Sequence, residues 1–126
     1  MKIEHVALWE KDLEKMKEFY ETYFNVTSIK RYHNPKTGFY SYFVTFDSGS
    51  RLELMAKQHL SPRIADSLGY AHLAIAVGTK EAVNAYVEKF LAAGFPLLSG
   101  PRTTGDGYYE AVIQDPEGNL LELTTD

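Results

Sequence analysis

A chain of 126 residues, 44% of them hydrophobic, has the size of one ordinary domain and the apolar content to bury a core, which excludes a disordered segment. No apolar run nears the roughly 20 residues that span a bilayer, so no membrane partner is expected. Thirteen basic against 17 acidic residues give a net charge of −4, and no basic cluster exceeds Lys30-Arg31. A nucleic-acid partner is therefore excluded, because it would need a dense positive stripe.

The N-terminus, MKIEHVALW, runs into a strand-like pattern over Ile3-Glu4-His5-Val6-Ala7-Leu8 with no apolar signal core or small-residue cleavage site. With no cysteine to form disulfides, a cytoplasmic location is expected. A helix follows, capped by Asp12, with Met16, Phe19, Tyr20, Tyr23 and Phe24 stepping by three and four. The charged residues from Glu10 to Glu21 read as its solvated face. A short strand is expected near 26 to 33. Then Phe43-Val44-Thr45-Phe46 and Arg51-Leu52-Glu53-Leu54 flank a turn at Asp47-Ser48-Gly49-Ser50, which is hairpin chemistry.

Residues 56 to 69 show neither strand alternation nor a helical stripe and read as a connection. After it the pattern repeats at an offset of about 67 residues, the spacing from His5 to His72. Tyr70-Ala71-His72-Leu73-Ala74-Ile75 mirrors the first strand. A second helix runs from a Thr79 cap through Val83, Tyr86, Val87, Phe90 and Leu91 to a left-handed stop at Gly94. A strand near 96 to 100 precedes the loop Gly105-Asp106-Gly107 with Tyr108 and Tyr109. The last hairpin joins Ala111-Val112-Ile113-Gln114 to Leu120-Leu121-Glu122-Leu123. The expected organisation is α+β: one domain over 1–126, made of two tandem βαβββ modules at about 1–55 and 70–126 with a linker at 56–69.

Side chains of a strand alternate between faces. Leu52 and Leu54, Leu73, Ile75 and Val77, and Leu121 and Leu123 form one set, suited to packing against the helices. The opposite parity holds His5, Glu53, His72 and Glu122. Two carboxylates on such a surface need a compensating charge, since an unpaired buried carboxylate costs several kcal/mol. One divalent metal supplies it. Without thiolates, two imidazoles and two carboxylates suit Zn, Ni, Fe, Co or Mn, with water in the remaining positions. His33 and His59 lack partners in the other half and read as surface residues of loops. Trp9 either packs, meets an interface or stacks on a ligand, and Tyr108 and Tyr109 either pack or close over one.

These features resemble the vicinal oxygen chelate superfamily, the glyoxalase, bleomycin resistance and dioxygenase family. The ligand pattern is most similar to glyoxalase I (lactoylglutathione lyase), and Asp115-Pro116-Glu117-Gly118-Asn119 is similar to that family's turn before the last strand. The resemblance implies paired modules forming a cup-shaped mixed sheet around a metal, often completed by a second subunit. It implies a lyase or isomerase that acts on a small-molecule carbonyl substrate through a metal-stabilised enolate. In that reading Glu122 is the base, Glu53 returns the proton, and His5 and His72 are plain ligands. The chain departs from glyoxalase I at its glutathione contacts: the arginine after the first strand is Trp9, the asparagine four residues past the first glutamate is Lys57, and the arginine four residues before the second histidine is Leu68. A homodimer is expected, because one pair of modules leaves sheet edges open. The alternatives are a metal-free drug-binding protein and a fosfomycin-type thiol transferase, and the extra Glu53 counts against the latter.

Overall fold

The computed structural model describes residues 1–126 and divides into two compact units, Met1–Arg63 and Ile64–Asp126. The division falls inside the stretch read as a linker. In the first unit β1 (His5–Trp9) leads to α1 (Leu13–Tyr23), two short strands β2 (Thr27–Ser28) and β3 (Tyr32–Asn34), then β4 (Phe39–Thr45) and β5 (Arg51–Ala56). The sheet order is β1-β5-β4-β2, with β3 also on β4. In the second unit β6 (His72–Gly78), α2 (Lys80–Ala92), β7 (Leu97–Thr103), β8 (Tyr109–Gln114) and β9 (Leu120–Thr125) form a sheet of order β6-β9-β8-β7. Each unit pairs its first strand parallel to its last, β1 with β5 and β6 with β9, and the other pairs are antiparallel. The architecture is α+β, two sheets of mixed strands with two helices. No helix is long and apolar enough to cross a membrane.

The helices begin where their caps direct. The Asp12 carboxylate accepts from the Lys15 amide at 3.1 Å, and the Thr79 hydroxyl from the Ala82 amide at 3.3 Å, each satisfying a donor that the first turn leaves free. Gly94, at φ 85°, ends α2 while the Phe95 amide donates to the Phe90 carbonyl at 3.0 Å. Met16, Phe19 and Tyr20 are buried on the first helix and Phe24 just past its end, and Val83, Val87 and Phe90 on the second. Leu91 departs from the expected stripe and is 50% exposed. The mirror with Phe24 fails because α1 has ended by Phe24, whose extended backbone turns its ring toward Phe46, 6.4 Å away. Leu91 is still helical and is rotated about 100° from the buried Phe90.

Glu10 also departs from the solvated face expected of it. It is 1% exposed because it precedes the helix: its amide donates to the Met55 carbonyl at 2.7 Å, continuing the β1–β5 pairing. The strand expected near 26 to 33 is broken into β2 and β3, although the Ile29 amide still reaches the Phe43 carbonyl at 3.2 Å. The strand expected near 96 to 100 instead runs to Thr103 through two register shifts, past Gly100 and Pro101. Proline is tolerated there because β7 is the edge strand.

Before β9, the buried Asp115 organises its turn. It accepts from the amides of Glu117 and Asn119, both at 2.9 Å, and from Asn119 Nδ2 at 2.8 Å. Burial pushes the Asp115 carboxyl up from the usual range, against the pull of those Asn119 and Glu117 donors.

Gly100 sets the spacing of β7 against β8. Its φ of 78° disfavours any side chain, and a Cβ there would stand 2.5 Å from the Glu110 carbonyl oxygen. Gly100→Ala is therefore expected to destabilise the protein by about 1–3 kcal/mol, read as a lower midpoint in urea unfolding. A wild-type midpoint would show that the strand relaxes freely at this point.

Candidate functional site

The core dictates where the polar residues face. Burying Leu52 and Leu54 in β5 turns Glu53 to the opposite side, and burying Leu121 and Leu123 in β9 does the same for Glu122. The parallel pairing places Ala7 opposite Glu53 and Ala74 opposite Glu122. His5 and His72 each lie two residues before that alanine, so each histidine is a diagonal neighbour of its glutamate on one face.

His5 Nε2 is 3.7 Å from Glu53 Oε2, and His72 Nε2 is 3.4 Å from Glu122 Oε2. Both separations are longer than the usual N–H···O hydrogen bond. They are short enough for both atoms of a pair to reach one divalent ion at about 2.1 Å each. Both glutamate side chains are 16% exposed, against 39% and 42% for the histidines, so each unit presents an open imidazole beside a carboxylate largely shielded from water. The donor chemistry thus fits a divalent ion. The predicted residues come together as His5 with Glu53 and His72 with Glu122. Nowhere in the single chain do three or more His, Cys, Asp or Glu side chains form a group able to hold a metal.

The two pairs differ in what surrounds them. In the first unit Glu4 Oε2 lies 2.5 Å from His5 Nδ1, and the Phe43 ring stands edge-on to His5 at 5.3 Å. The hydrogen bond with His5, with Arg51 after it, holds the Glu4 carboxyl below the usual range. In the second unit Glu110, opposite Thr124 in the register, lies diagonal to Glu122 on the same face. Arg102 Nη2 is 3.9 Å from Glu110 Oε1. The Glu122 carboxyl is pushed up, first by burial and then by the negative charge of Glu110, with which it shares a hydrogen bond. His72 pulls the other way. Sequence reading missed Glu4, Arg51 and Glu110. Alternation along β8 was the available signal for Glu110, which shares parity with Val112 and Gln114.

The family model described as the Glyoxalase/Bleomycin resistance protein/Dioxygenase superfamily matches residues 2–123. The chain belongs to this superfamily. Among curated proteins no sequence matches it. Among solved structures, the protein SMU.1112c is 27% identical, with a TM-score of 0.83 over 98% of each chain. The trypanothione-dependent glyoxalase I of Leishmania major is 20% identical, with a TM-score of 0.80 over 99% of this chain and 86% of the other. A mutant fosfomycin resistance protein of Listeria monocytogenes, complexed with manganese(II) and a dihydroxypropylphosphonic acid, is 23% identical. Its TM-score is 0.75 over 98% of this chain and 91% of that one.

Within this superfamily fold the remaining candidates sort by face. Trp9 shares the parity of His5, is 45% exposed, stands edge-on to Phe39 at 6.1 Å and carries Lys57 Nζ 4.4 Å from its ring. Leu68 is fully exposed. Tyr108 is exposed in its loop, while Tyr109 donates to Asn84 Oδ1 on α2 at 2.8 Å and so serves packing. His59 lies in a loop as expected. His33 does not: it belongs to β3 and stacks on Tyr40 at 4.1 Å.

A raised folded-state pKa contributes stability that is full below the unfolded value and lost as pH rises through the folded one. The metal-free protein should accordingly lose the Glu122 contribution as pH climbs above 4.5, the ordinary value. Glu110→Gln removes the neighbouring charge, and Glu122 should then titrate at lower pH in carbon-13 NMR of the side-chain carboxyls. An unmoved Glu122 titration would count against Glu110 as a cause.

Proposed function

We propose that this protein is a divalent-metal-dependent lyase or isomerase of the glyoxalase I type, acting on a small carbonyl compound. His5, Glu53, His72 and Glu122 hold one Zn, Ni, Fe, Co or Mn ion in this reading. The observation that supports it is the repeated pair: in each unit a histidine and a shielded glutamate face one another at the separation of two ligands on a common ion. Because no group of three such side chains occurs in the single chain, the reading includes a homodimer, with pairs from two subunits able to complete the set. The whole of 1–126 then works as one functional domain, in the cytoplasm.

A bound divalent ion would polarise the substrate carbonyl and stabilise negative charge on its oxygen. The chain's own residues move the proton. Glu122, whose raised pKa brings it nearer neutrality, is the base that removes the proton next to the carbonyl. Glu53, protonated for this step, returns a proton at the adjacent carbon; exchange with solvent then takes the captured proton from Glu122 and reprotonates Glu53, and the two imidazoles stay plain ligands. Trp9, Lys57 and Leu68 replace the three glutathione contacts of the resembled enzymes, which supports a substrate other than a glutathione adduct.

Elemental analysis of protein purified without chelator is expected to find a divalent metal, and adding metal to the stripped form should raise its melting temperature. His72→Ala should lower both metal content and that gain. Glu122→Gln keeps an oxygen donor but almost no basicity. It should retain some metal while proton exchange on small hydroxycarbonyl compounds, followed by NMR in heavy water, drops about 10²- to 10⁴-fold. Full exchange activity in Glu122→Gln, or metal content and melting temperature unchanged in His72→Ala, would refute the four-ligand site. Metal-free wild-type protein that gains nothing from added metal would favour the drug-binding alternative.

A further inference from the structure

We propose that Glu4, clamped by Arg51, is a positioning residue that fixes the His5 ring as its Nδ1–H tautomer and leaves a bare Nε2 directed at Glu53. The inference rests on the metal-site reading for its purpose and on the first unit's geometry for its substance. The Glu4 carboxylate stands 2.5 Å from Nδ1, while Nε2 of the same ring is the nitrogen that faces Glu53. A carboxylate accepts and cannot donate, so the proton of a neutral His5 belongs on Nδ1. Such backing orients a ligating imidazole and raises the basicity of its other nitrogen.

An exposed ion pair alone would hold little, and the Glu4 side chain is 52% exposed. What fixes it is the convergence of several contacts. Arg51 Nε donates to Glu4 Oε1 at 2.8 Å and Arg51 Nη2 donates to the same oxygen. The guanidinium lies 4.2 Å from the centre of the Phe43 ring, the ring that also meets His5. The backbone is pinned as well: the Arg51 amide donates to the Glu4 carbonyl at 3.1 Å, and the Ser50 hydroxyl to the Ile3 carbonyl at 2.7 Å. The arginine fork therefore addresses a carboxylate whose main chain is already held beside it. The second unit has no such device. Ala71 precedes His72 and Leu120 stands opposite it, so neither Glu4 nor Arg51 has a counterpart there, and His72 is a built-in reference.

The test uses the metal-free full chain at alkaline pH, with the protonation and tautomer of each ring read by long-range proton–nitrogen NMR. Wild-type His5 is expected as Nδ1–H. Glu4→Ala should move His5 toward Nε2–H, leave His72 unchanged, and weaken cobalt(II) binding, measured by competition with a chelator, about 10- to 100-fold. Arg51→Met keeps an apolar chain against Phe43 but removes the donors, and should shift both readouts in the same direction. Glu4→Gln retains an acceptor without the charge and should restore the tautomer with only part of the affinity. If wild-type His5 is not Nδ1–H, or stays so in Glu4→Ala, the clamp is overturned whether or not metal binds. A tautomer shift with undiminished cobalt(II) affinity overturns the positioning role. Wild-type protein that binds no cobalt(II) overturns the metal reading instead, and the tautomer comparison still decides whether Glu4 fixes the ring.

Discussion

In each unit the first strand lies parallel to the last, and the position of every candidate group follows from that pairing. A parallel pair cannot be closed by a tight turn and needs a crossover of a dozen or more residues. Here the crossover is the helix and the middle strands, and the helix supplies the apolar surface that β5 and β9 face. Once Leu52, Leu54, Leu121 and Leu123 are buried, Glu53 and Glu122 have only the other side available. A slip of one residue would reverse the faces and bury both carboxylates. The same registers bring Ala7 and Ala74 opposite the glutamates, and their small side chains add little bulk beside the carboxylates.

The repeat is closer in backbone than in electrostatics. The first pair is supported on its imidazole, through Glu4 and Arg51, and the second is crowded on its carboxylate, through Glu110. Support on an imidazole favours a firm ligand, whereas a second carboxylate favours a group that exchanges protons. The same motif, folded twice, has been given two chemical characters by residues that the two halves of the repeat do not share.

Much of this was legible in the sequence because it depends on periodicity. Alternation in the β5 and β9 segments placed Glu53 and Glu122, the three-and-four spacing located both helices, and Asp12 and Thr79 marked their starts. What escaped depends on where regular structure stops. Phe24 and Leu91 occupy matching positions, yet one is buried and the other exposed because α1 ends two residues sooner in its unit. Glu10 reads as part of a helix face by its charge, yet its amide extends the strand pairing. Glu4 could not be read from alternation because it precedes β1 and its direction is set by Arg51, a partner 47 residues away. The break between β2 and β3 and the extension of β7 through Gly100 and Pro101 likewise depend on register with β4 and β8, which local pattern does not carry.

The chain contains a single tryptophan, and its location makes it useful. Trp9 pairs with Met55, two residues along β5 from Glu53 and on the same face, with its ring half open to water beneath the Lys57 ammonium. Indole emission responds to hydration and to nearby charge. The native protein therefore carries an intrinsic fluorophore on the face of interest, and its emission will respond to whatever displaces water or shifts Lys57 there, with no label to perturb the fold.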